Sequence, residues 1–182
     1  MPTYENLHFG VRLDFPDTWK LVSWKHSKLG RSSRSAFQTS DGDLPSKGPY
    51  ASKFLFIARL FSPGSEALVD ADIEVSVSRL PAGQEMRQIL LDNLERERAY
   101  YHSNGIATSI AKDGTWTIGG TDFGYVDAES ISRSGKNRYR FFFRRVEGLY
   151  WLSGKIAGHD ERKYAEAIRI VEAMECNMEP DA

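Results

Sequence analysis

Residues Arg138–Ala157 constrain the fold of this chain most, because they predict a β-hairpin together with its register. Two apolar-rich runs flank Glu147-Gly148, and glycine tolerates the positive φ that a two-residue hairpin turn requires. With this turn, one face pairs Val146 with Leu149, Arg144 with Trp151, Phe142 with Ser153 and Arg140 with Lys155. The other face pairs Arg145 with Tyr150, Phe143 with Leu152, Phe141 with Gly154 and Tyr139 with Ile156. The hairpin therefore predicts one apolar face and one face on which arginines surround a tryptophan.

A third strand is predicted immediately before the hairpin, over Phe123–Arg133. A four-residue loop, Ser134–Asn137, would pair Arg133 with Arg138, Ile131 with Arg140, Glu129 with Phe142 and Asp127 with Arg144. The other face of this strand carries small residues beside the aromatic residues of the hairpin: Gly124, Val126, Ala128, Ser130 and Ser132 beside Tyr139, Phe141 and Phe143. Small residues leave room for a helix. We expect the C-terminal helix to dock there, because it follows the last strand directly.

The first half of the chain reads as strands. Alternating apolar residues Phe9, Val11, Leu13 and Phe15 predict a half-buried strand that Pro16 ends. Further strands are predicted at Trp19–Trp24, Tyr50–Phe61 and Ala71–Leu80. The segment Ser27–Pro49 has neither the helical nor the strand period and is predicted to be the longest loop, with a short strand at Ala36–Gln38.

After Pro81 the period changes to that of a helix. Met86, Ile89, Leu90, Leu94 and Tyr101 share one stripe, and Gly105 is placed to end the helix. Extended segments follow at Ile106–Ile110 and Thr115–Ile118. Asp160 is a predicted N-cap for a final helix to about Cys176, with an apolar stripe of Tyr164, Ile168 and Val171 beside Ala167 and Met174.

The order of elements predicts an α+β fold. Runs of strands separated by single helices lack the strict alternation of a parallel sheet. We expect one domain over residues 1–182, with a central antiparallel sheet of about seven to eight strands and helices packed on it as an α/β/α sandwich.

Composition bounds the function only broadly. The chain has 182 residues, 41% hydrophobic, with a formal net charge of −1, so there is no global attraction to nucleic acid or to a membrane surface. No signal-peptide pattern and no apolar run of membrane-spanning length is present. Cys176 is the single cysteine, which excludes an intrachain disulfide and suits a reducing compartment. A cytoplasmic location is the expectation, although an exported chain without its signal peptide would look the same.

The opening Phe9-Gly10-Val11-x-Leu13-x-Phe15-Pro16-x-x-Trp19, together with this order of elements, resembles the PsbP-like α/β/α sandwich superfamily. The resemblance covers nearly the whole chain. That superfamily includes the extrinsic P protein of photosystem II, a Ran-binding nuclear import factor, bacterial lipoproteins and secretion-effector chaperones. The resemblance implies a non-catalytic binding or assembly role. It assigns no functional residue, because no binding motif of the superfamily matches this chain position by position.

The candidate binding residues are Arg140, Arg144, Trp151 and Lys155, which the predicted register places with Arg138 on one face. Arginine offers a planar fork, and tryptophan a rigid contact surface common at interfaces. Such a face is a candidate anion-binding or protein-binding patch. The alternative is purely structural, because Asp127 and Glu129 would lie beside these arginines as ordinary cross-strand ion pairs.

Catalytic and metal-binding patterns are weak. Asp127 and Glu129 would have carboxylates about 7 Å apart from strand geometry, within the range of inverting glycosidases. Paired arginines, however, keep acids ionised, whereas a general acid needs a raised pKa. The four histidines have no metal-ligand spacing. We therefore expect no enzyme activity, no metal and no cofactor.

A local basic run precedes and enters the predicted 27–49 loop, with Lys25, His26, Lys28, Arg31 and Arg34 among serines. An RNA-binding or phosphate-binding arm is one interpretation, but stacking aromatic residues are sparse. A solvated mobile loop is the preferred interpretation. Such a loop could still close over a partner, and Phe37 would then be a candidate anchor.

The function predicted from the sequence is a protein-binding module of the adaptor, chaperone or immunity type, monomeric or weakly dimeric, whose partner is another protein. The alternative is a small-molecule or anion-binding domain with a pocket between the 27–49 loop and the sheet.

Overall fold

Two helices and two antiparallel sheets make up the described part of the chain, residues 2–6, 9–22, 52–65, 68–103, 106–132, 135–147 and 150–176 of a computed structural model. The strands are β1 (Thr3–Asn6), β2 (Val11–Asp14), β3 (Trp19–Val22), β4 (Ser52–Phe61), β5 (Val69–Arg79), β6 (Ala107–Ile118), β7 (Thr121–Ser132), β8 (Gly135–Glu147), β9 (Tyr150–Gly158) and β10 (Glu175–Cys176), and the helices are α1 (Met86–Ser103) and α2 (Glu161–Glu172). The predicted 27–49 loop, its short strand and its basic run lie outside the described residues.

Seven strands form the central sheet in the order β3-β4-β5-β9-β8-β7-β6, and every neighbouring pair is antiparallel. The α+β prediction is confirmed at this level. The first predicted strand, β2, does not join this sheet. It pairs with β1 and β10 in a separate three-stranded sheet, because the turn after Pro16, closed by the Trp19 N–H to the Pro16 carbonyl at 2.9 Å, redirects the chain.

The predicted register of the β8–β9 hairpin is wrong by one residue. The hairpin closes on Glu147 opposite Tyr150, and a bulge between Arg145 and Glu147 then shifts the pairing. Beyond the bulge, Arg145 pairs with Trp151, Phe142 with Gly154 and Phe141 with Lys155. Because side chains alternate with a period of two, a shift of one residue moves one strand's side chains to the opposite face relative to its neighbour.

The central sheet consequently has two buried faces. On the α2 face, Phe142 and Val146 join Ile73, Val75 and Ile156 in the larger core with α2 and the small sheet. On the α1 face, a second core contains Leu80, Met86, Leu94, Val126, Ala128, Phe143 and Trp151. The predicted face of small residues beside Tyr139, Phe141 and Phe143 does exist, since Gly124 pairs with Phe143 and Val126 with Phe141. The helix that covers it, however, is α1 and not the C-terminal helix.

The β7–β8 connection is shorter than predicted. Ser132 pairs with Gly135, so the loop spans two residues and Asp127 faces Arg140 instead of Arg144. The observed β7–β8 pairing differs from the predicted one by an even number of residues. Asp127 and Glu129 therefore still share a face with arginines, as expected.

The C-terminal helix begins as predicted and ends early. The Asp160 carboxylate accepts hydrogen bonds from the backbone N–H groups of Arg162 and Lys163, at 2.9 and 3.0 Å, which confirms the N-cap. The helix ends at Glu172, and Cys176 lies in β10, paired with Val11.

The described register leaves no room for a side chain at residue 154. A Cβ on Gly154 would stand 2.2 Å from the Phe142 ring and 2.7 Å from the Glu74 carbonyl. We expect Gly154→Ala to lower the free energy of unfolding by about 1–3 kcal/mol, measured by urea denaturation. The control is Gly114→Ala in the exposed strand β6, where the nearest atom belongs to the Tyr125 side chain at 3.2 Å. Equal effects of the two substitutions would contradict the described pairing of Phe142 with Gly154.

Candidate functional site

The four predicted binding residues do not share a surface. Arg140 and Arg144 lie on the α2 face, whereas Trp151 and Lys155 lie on the α1 face, because the register is shifted by one residue. Trp151 is 7% exposed and packs against Phe143, with the ring centroids 6.3 Å apart. The predicted grouping is therefore wrong, and Trp151 is a core residue.

Arg140 is the centre of a cluster on the α2 face. Its Nε and Nη2 donate to the two carboxylate oxygens of Asp127 at 2.7 and 2.8 Å, a bidentate pair. Its guanidinium also lies 4.9 Å from the ring centroid of Trp116 and 4.6 Å from that of Tyr125. The Asp127 hydrogen bonds raise the pKa of Arg140 above its ordinary value, so this arginine is a permanent cation held in one orientation.

Helix α2 borders this cluster. The Trp116 indole N–H donates to the Glu172 carboxylate at 3.2 Å, and the first-turn Glu161 lies 3.7 Å from Arg138. Burial raises the pKa of the Tyr164 hydroxyl to about 12, with a further contribution from the negative charge of Asp127. Tyr164 therefore stays neutral at physiological pH.

The part of the α2 face beyond α2 is accessible, and we call it the open surface. Lys112, Gly114 and Ile131 are exposed there, and Trp116, Asp127, Glu129, Arg138 and Arg140 are half-buried. Ile131 is 53% exposed, and Glu129 forms an ion pair with Lys136 at 2.6 Å. Aromatic, arginine and isoleucine side chains thus lie together on one accessible sheet face.

Arg144 lies further along β8 on the same face. Its Nη1 donates to the Asp122 carbonyl at 3.4 Å, a long hydrogen bond. Its positive charge also acts on Cys176: burial raises the pKa of this thiol to about 11, and Arg144 partly opposes the shift. Cys176 lies in strand β10, and burial is the main cause of its raised pKa.

Lys155 has a different environment on the α1 face. Its Nζ lies 3.2 Å from the Glu74 carboxylate and 3.6 Å from that of Asp72. Burial by itself lowers the pKa of Lys155, but the two carboxylates outweigh it and the pKa is raised. Burial raises the pKa of Asp72 despite the attraction of Lys155. Lys155 is thus a partly exposed cation paired within the protein.

A cavity of about 150 Å³ adjoins this ion cluster and is lined by Val69, Asp70, Ala71, Asp72, Asn137, Tyr139, Lys155, Ala157, Gly158 and His159. Asp70 accepts hydrogen bonds from Lys163 and Ser62, and the Lys163 hydrogen bond chiefly lowers its pKa. The charged side chains Asp70, Asp72 and Lys155 already have partners within the protein.

Neither catalytic nor metal chemistry is supported by a constellation in the described ranges. Asp127 and Glu129 each contact a cation, as expected from the sequence. Across those ranges, no three His, Cys, Asp or Glu side chains converge as metal ligands would. Neither helix there combines the length and apolar character needed to cross a bilayer. The absence of enzyme activity and the cytoplasmic location stay predictions.

Sequence reasoning missed Trp116 and Tyr125 as the aromatic partners of Arg140. A signal was present, because Gly114, Trp116 and Ile118 alternate with threonines and so share a face. The sequence predicted two shorter segments, Ile106–Ile110 and Thr115–Ile118, with Ala111–Gly114 between them, and a segment as short as Thr115–Ile118 gives no register against a neighbouring strand. The β6–β7 register places Gly114 opposite Tyr125 and Trp116 opposite Phe123.

Two solved structures have a similar fold. One is the solution structure of cyanobacterial PsbP (CyanoP) from Synechocystis sp. PCC 6803, with a TM-score of 0.52 and 9% identity, covering 96% of this chain and 91% of that chain. The other is the crystal structure of LpqN, involved in cell envelope biogenesis of Mycobacterium tuberculosis, with a TM-score of 0.51 and 12% identity, covering 91% and 83%. No protein-family model and no curated protein sequence matches the chain. At these identities the likeness concerns the fold alone.

Replacing Trp151 is expected to affect stability. Trp151→Ala removes a large side chain from the second core and should lower the free energy of unfolding by about 3–5 kcal/mol. Arg144→Ala, the control, should change it by less than about 0.5 kcal/mol. Both are measured by urea denaturation followed by circular dichroism. A Trp151 effect as small as that of Arg144 would contradict the buried position.

The Cys176 thiol is expected to lose its proton only at high pH. We expect its thiolate absorbance in the native protein to rise around pH 11, against an ordinary value of 9.0. Because the folded pKa is raised, stability contributed by this group is present below pH 9 and is lost as the pH rises towards 11. Cys176→Ser should lack this component of the pH dependence. A native thiol that titrates near 9 would contradict the described burial.

Proposed function

We propose that this chain, which has a PsbP-like fold, is a non-enzymatic protein-binding module that uses its open surface. The observation that supports this proposal is the set of residues on that surface. Arg140 is held between Trp116 and Tyr125, with Arg138 and the exposed Ile131 on the same sheet face. Arginine, tryptophan and tyrosine are the residue types that most often dominate the energetics of protein interfaces.

The rigidity of the cluster also favours binding. The bidentate contact with Asp127 and the two aromatic rings hold the Arg140 side chain in place before any partner arrives. Side chains ordered in advance lose less conformational entropy on association. Among the residues predicted from the sequence, Arg140 and Arg144 remain candidates for partner contact. Lys155 and Trp151 lie on the opposite face of the sheet, so neither is included.

The partner is expected to present a mixed polar and apolar surface. The open surface carries both signs of charge, with Asp127 and Glu129 beside arginines and lysines, and the whole chain has a formal net charge of −1. A strongly basic or strongly acidic partner would therefore meet like charges as well as opposite ones. Ile131 offers the apolar contact.

The proposed small-molecule alternative placed a pocket between the 27–49 loop and the sheet. That loop lies outside the described residues. The cavity beside Lys155 is a different one, and its carboxylates and lysine are occupied by one another. No observation on the described residues therefore favours the alternative over protein binding.

A matched pair of double variants tests the proposal. The surface variant combines Ile131→Asp with Arg138→Glu, and the control combines Leu68→Asp with Arg162→Glu. The control makes the same chemical changes at exposed residues, including Leu68 at 64% exposure. Each protein is immobilised and exposed to native lysate of the source organism, and bound proteins are quantified by mass spectrometry.

We expect a specific partner to be retained by the unaltered protein and the control, and to be reduced about tenfold or more by the surface variant. Circular dichroism and thermal unfolding verify that both variants are folded. A partner retained equally by the folded surface variant would contradict the assignment of the open surface. Absence of any specific partner for the unaltered protein would contradict protein binding itself.

A further inference from the structure

Strand β6 is the longer of the two edges of the central sheet. It spans Ala107–Ile118, whereas the opposite edge, β3, spans only Trp19–Val22. No described strand lies on its outer side, and its residues from Ser109 to Thr115 are all exposed. The backbone N–H and C=O groups of a free edge are a template for another strand. A long free edge therefore needs either protection or a partner.

The protection of β6 is confined to its first half. A bulge between Ile110 and Lys112 interrupts the pairing with β7, and such bulges disfavour further strand addition. From Lys112 to Ile118 the pairing is regular, and this segment contains no proline. Its threonines and tryptophan favour extended structure. The second half is thus a regular strand of typical length, and no strand of the described ranges occupies its outer side.

We propose that this half of β6 pairs antiparallel with β6 of a second copy of the chain, about a two-fold axis at Gly114. The axis is perpendicular to the sheet, so the two seven-stranded sheets become one. The inference rests on β6 alone and goes beyond the proposed binding of a different protein by the open surface.

The charges of β6 disfavour two of the neighbouring registers. With the axis perpendicular to the sheet, a residue and the residue opposite it in the second copy lie on the same face. Their residue numbers are therefore both even or both odd, and the two numbers add to an even sum. An axis at Lys112 would place two lysines opposite each other, which is unfavourable. An axis at Asp113 would bring two Asp113–Arg87 ion pairs together, with like charges side by side. An axis at Gly114 instead places Lys112 opposite Trp116 of the second copy and Asp113 opposite Thr115.

The side chains at the axis support the same choice. Gly114 has no side chain to collide with its counterpart, and the Tyr125 ring lies over it at 3.2 Å from the Cβ position. Lys112 has no ion pair with any described residue, and in the dimer its ammonium would meet an indole ring. The formal net charge of −1 adds little repulsion between copies. The contact is short compared with a typical interface of about 1,600 Å², so the dimer should be weak.

Two substitutions of the exposed Thr115 test the register, because they are expected to change the dimerisation affinity in opposite directions. In the proposed dimer, residue 115 of each copy faces Asp113 of the other, and Asp113 forms an ion pair with Arg87 of its own chain. In an Arg87→Gln background, which removes that cation from Asp113, Thr115→Lys should strengthen dimerisation and Thr115→Glu should weaken it, each by roughly two- to thirty-fold, because two such pairs form per dimer. Association is measured by sedimentation velocity over a wide range of protein concentration, and thermal unfolding verifies that each variant is folded.

Weakening by Thr115→Lys would overturn the proposed axis, because an axis at residue 115 would place two lysines together. A chain that stays monomeric at the highest concentration, or a dimer insensitive to both substitutions, would overturn the pairing altogether. In the latter case the free edge would instead be available to an extended segment of another protein.

A cysteine cross-link gives an independent test. With Cys176→Ser as the background, Gly114→Cys places the two new thiols at the axis, where opposite Cα atoms lie about 4.5–5.5 Å apart, within reach of a disulfide. Mild oxidation should give a covalent dimer. The control, Thr117→Cys, lies opposite residue 111, and the two copies of residue 117 are about 20 Å apart. Equal cross-linking of both variants, or none at Gly114→Cys, would contradict the proposal.

Discussion

The contact of the Phe142 ring with Gly154 underlies the arrangement of the whole central sheet. Gly154 leaves the space that the ring fills, and a Cβ there would lie 2.2 Å from it. Phe142 also packs edge-on against Trp116 and Phe123, with ring centroids 5.7 and 6.0 Å away. A shift of β8 by one residue would move this ring to the other face and leave a void in the larger core. Core packing therefore overrides the register that a simple two-residue turn would impose.

The register determines the environment of each charged side chain. With Phe142 on the α2 face, Arg140 lies on that face beside Asp127, Trp116 and Tyr125. Lys155 is left on the α1 face, between the carboxylates of Asp72 and Glu74. Residues that a shifted register would group into one patch are thus separated by the thickness of the sheet. Arg140 is the cation that packs against aromatic rings, with its side chain partly exposed on a face that α2 covers only in part.

The two helices divide the sheet unequally, which locates the accessible regions. Helix α1 lies over β6, β7 and β8 on one face, and Arg87 from its first turn forms an ion pair with Asp113 of β6. Helix α2 lies over β5 and β9 on the other face and contacts β6 mainly near Glu172. The open surface is therefore the part of the α2 face beyond α2, next to the buried Ile118, Phe123 and Tyr125, and it continues to the edge of β6. In the proposed dimer the open surfaces of both copies would lie on the same side of one joined sheet.

The sequence by itself determined the element types and most of their positions. The period of two in Phe9–Phe15 and Ala71–Leu80, the helical stripe from Met86 and the Asp160 cap are local signals, and each has a local physical cause. It also predicted that small residues would line one face of β7 and that Asp127 and Glu129 would meet cations. Only the tertiary structure decided the β8–β9 register, the separation of β2 into a second sheet and the choice of helix for each face. These depend on how side chains distant in sequence fill a shared volume, such as Phe142 over Gly154, and no local pattern encodes that fit.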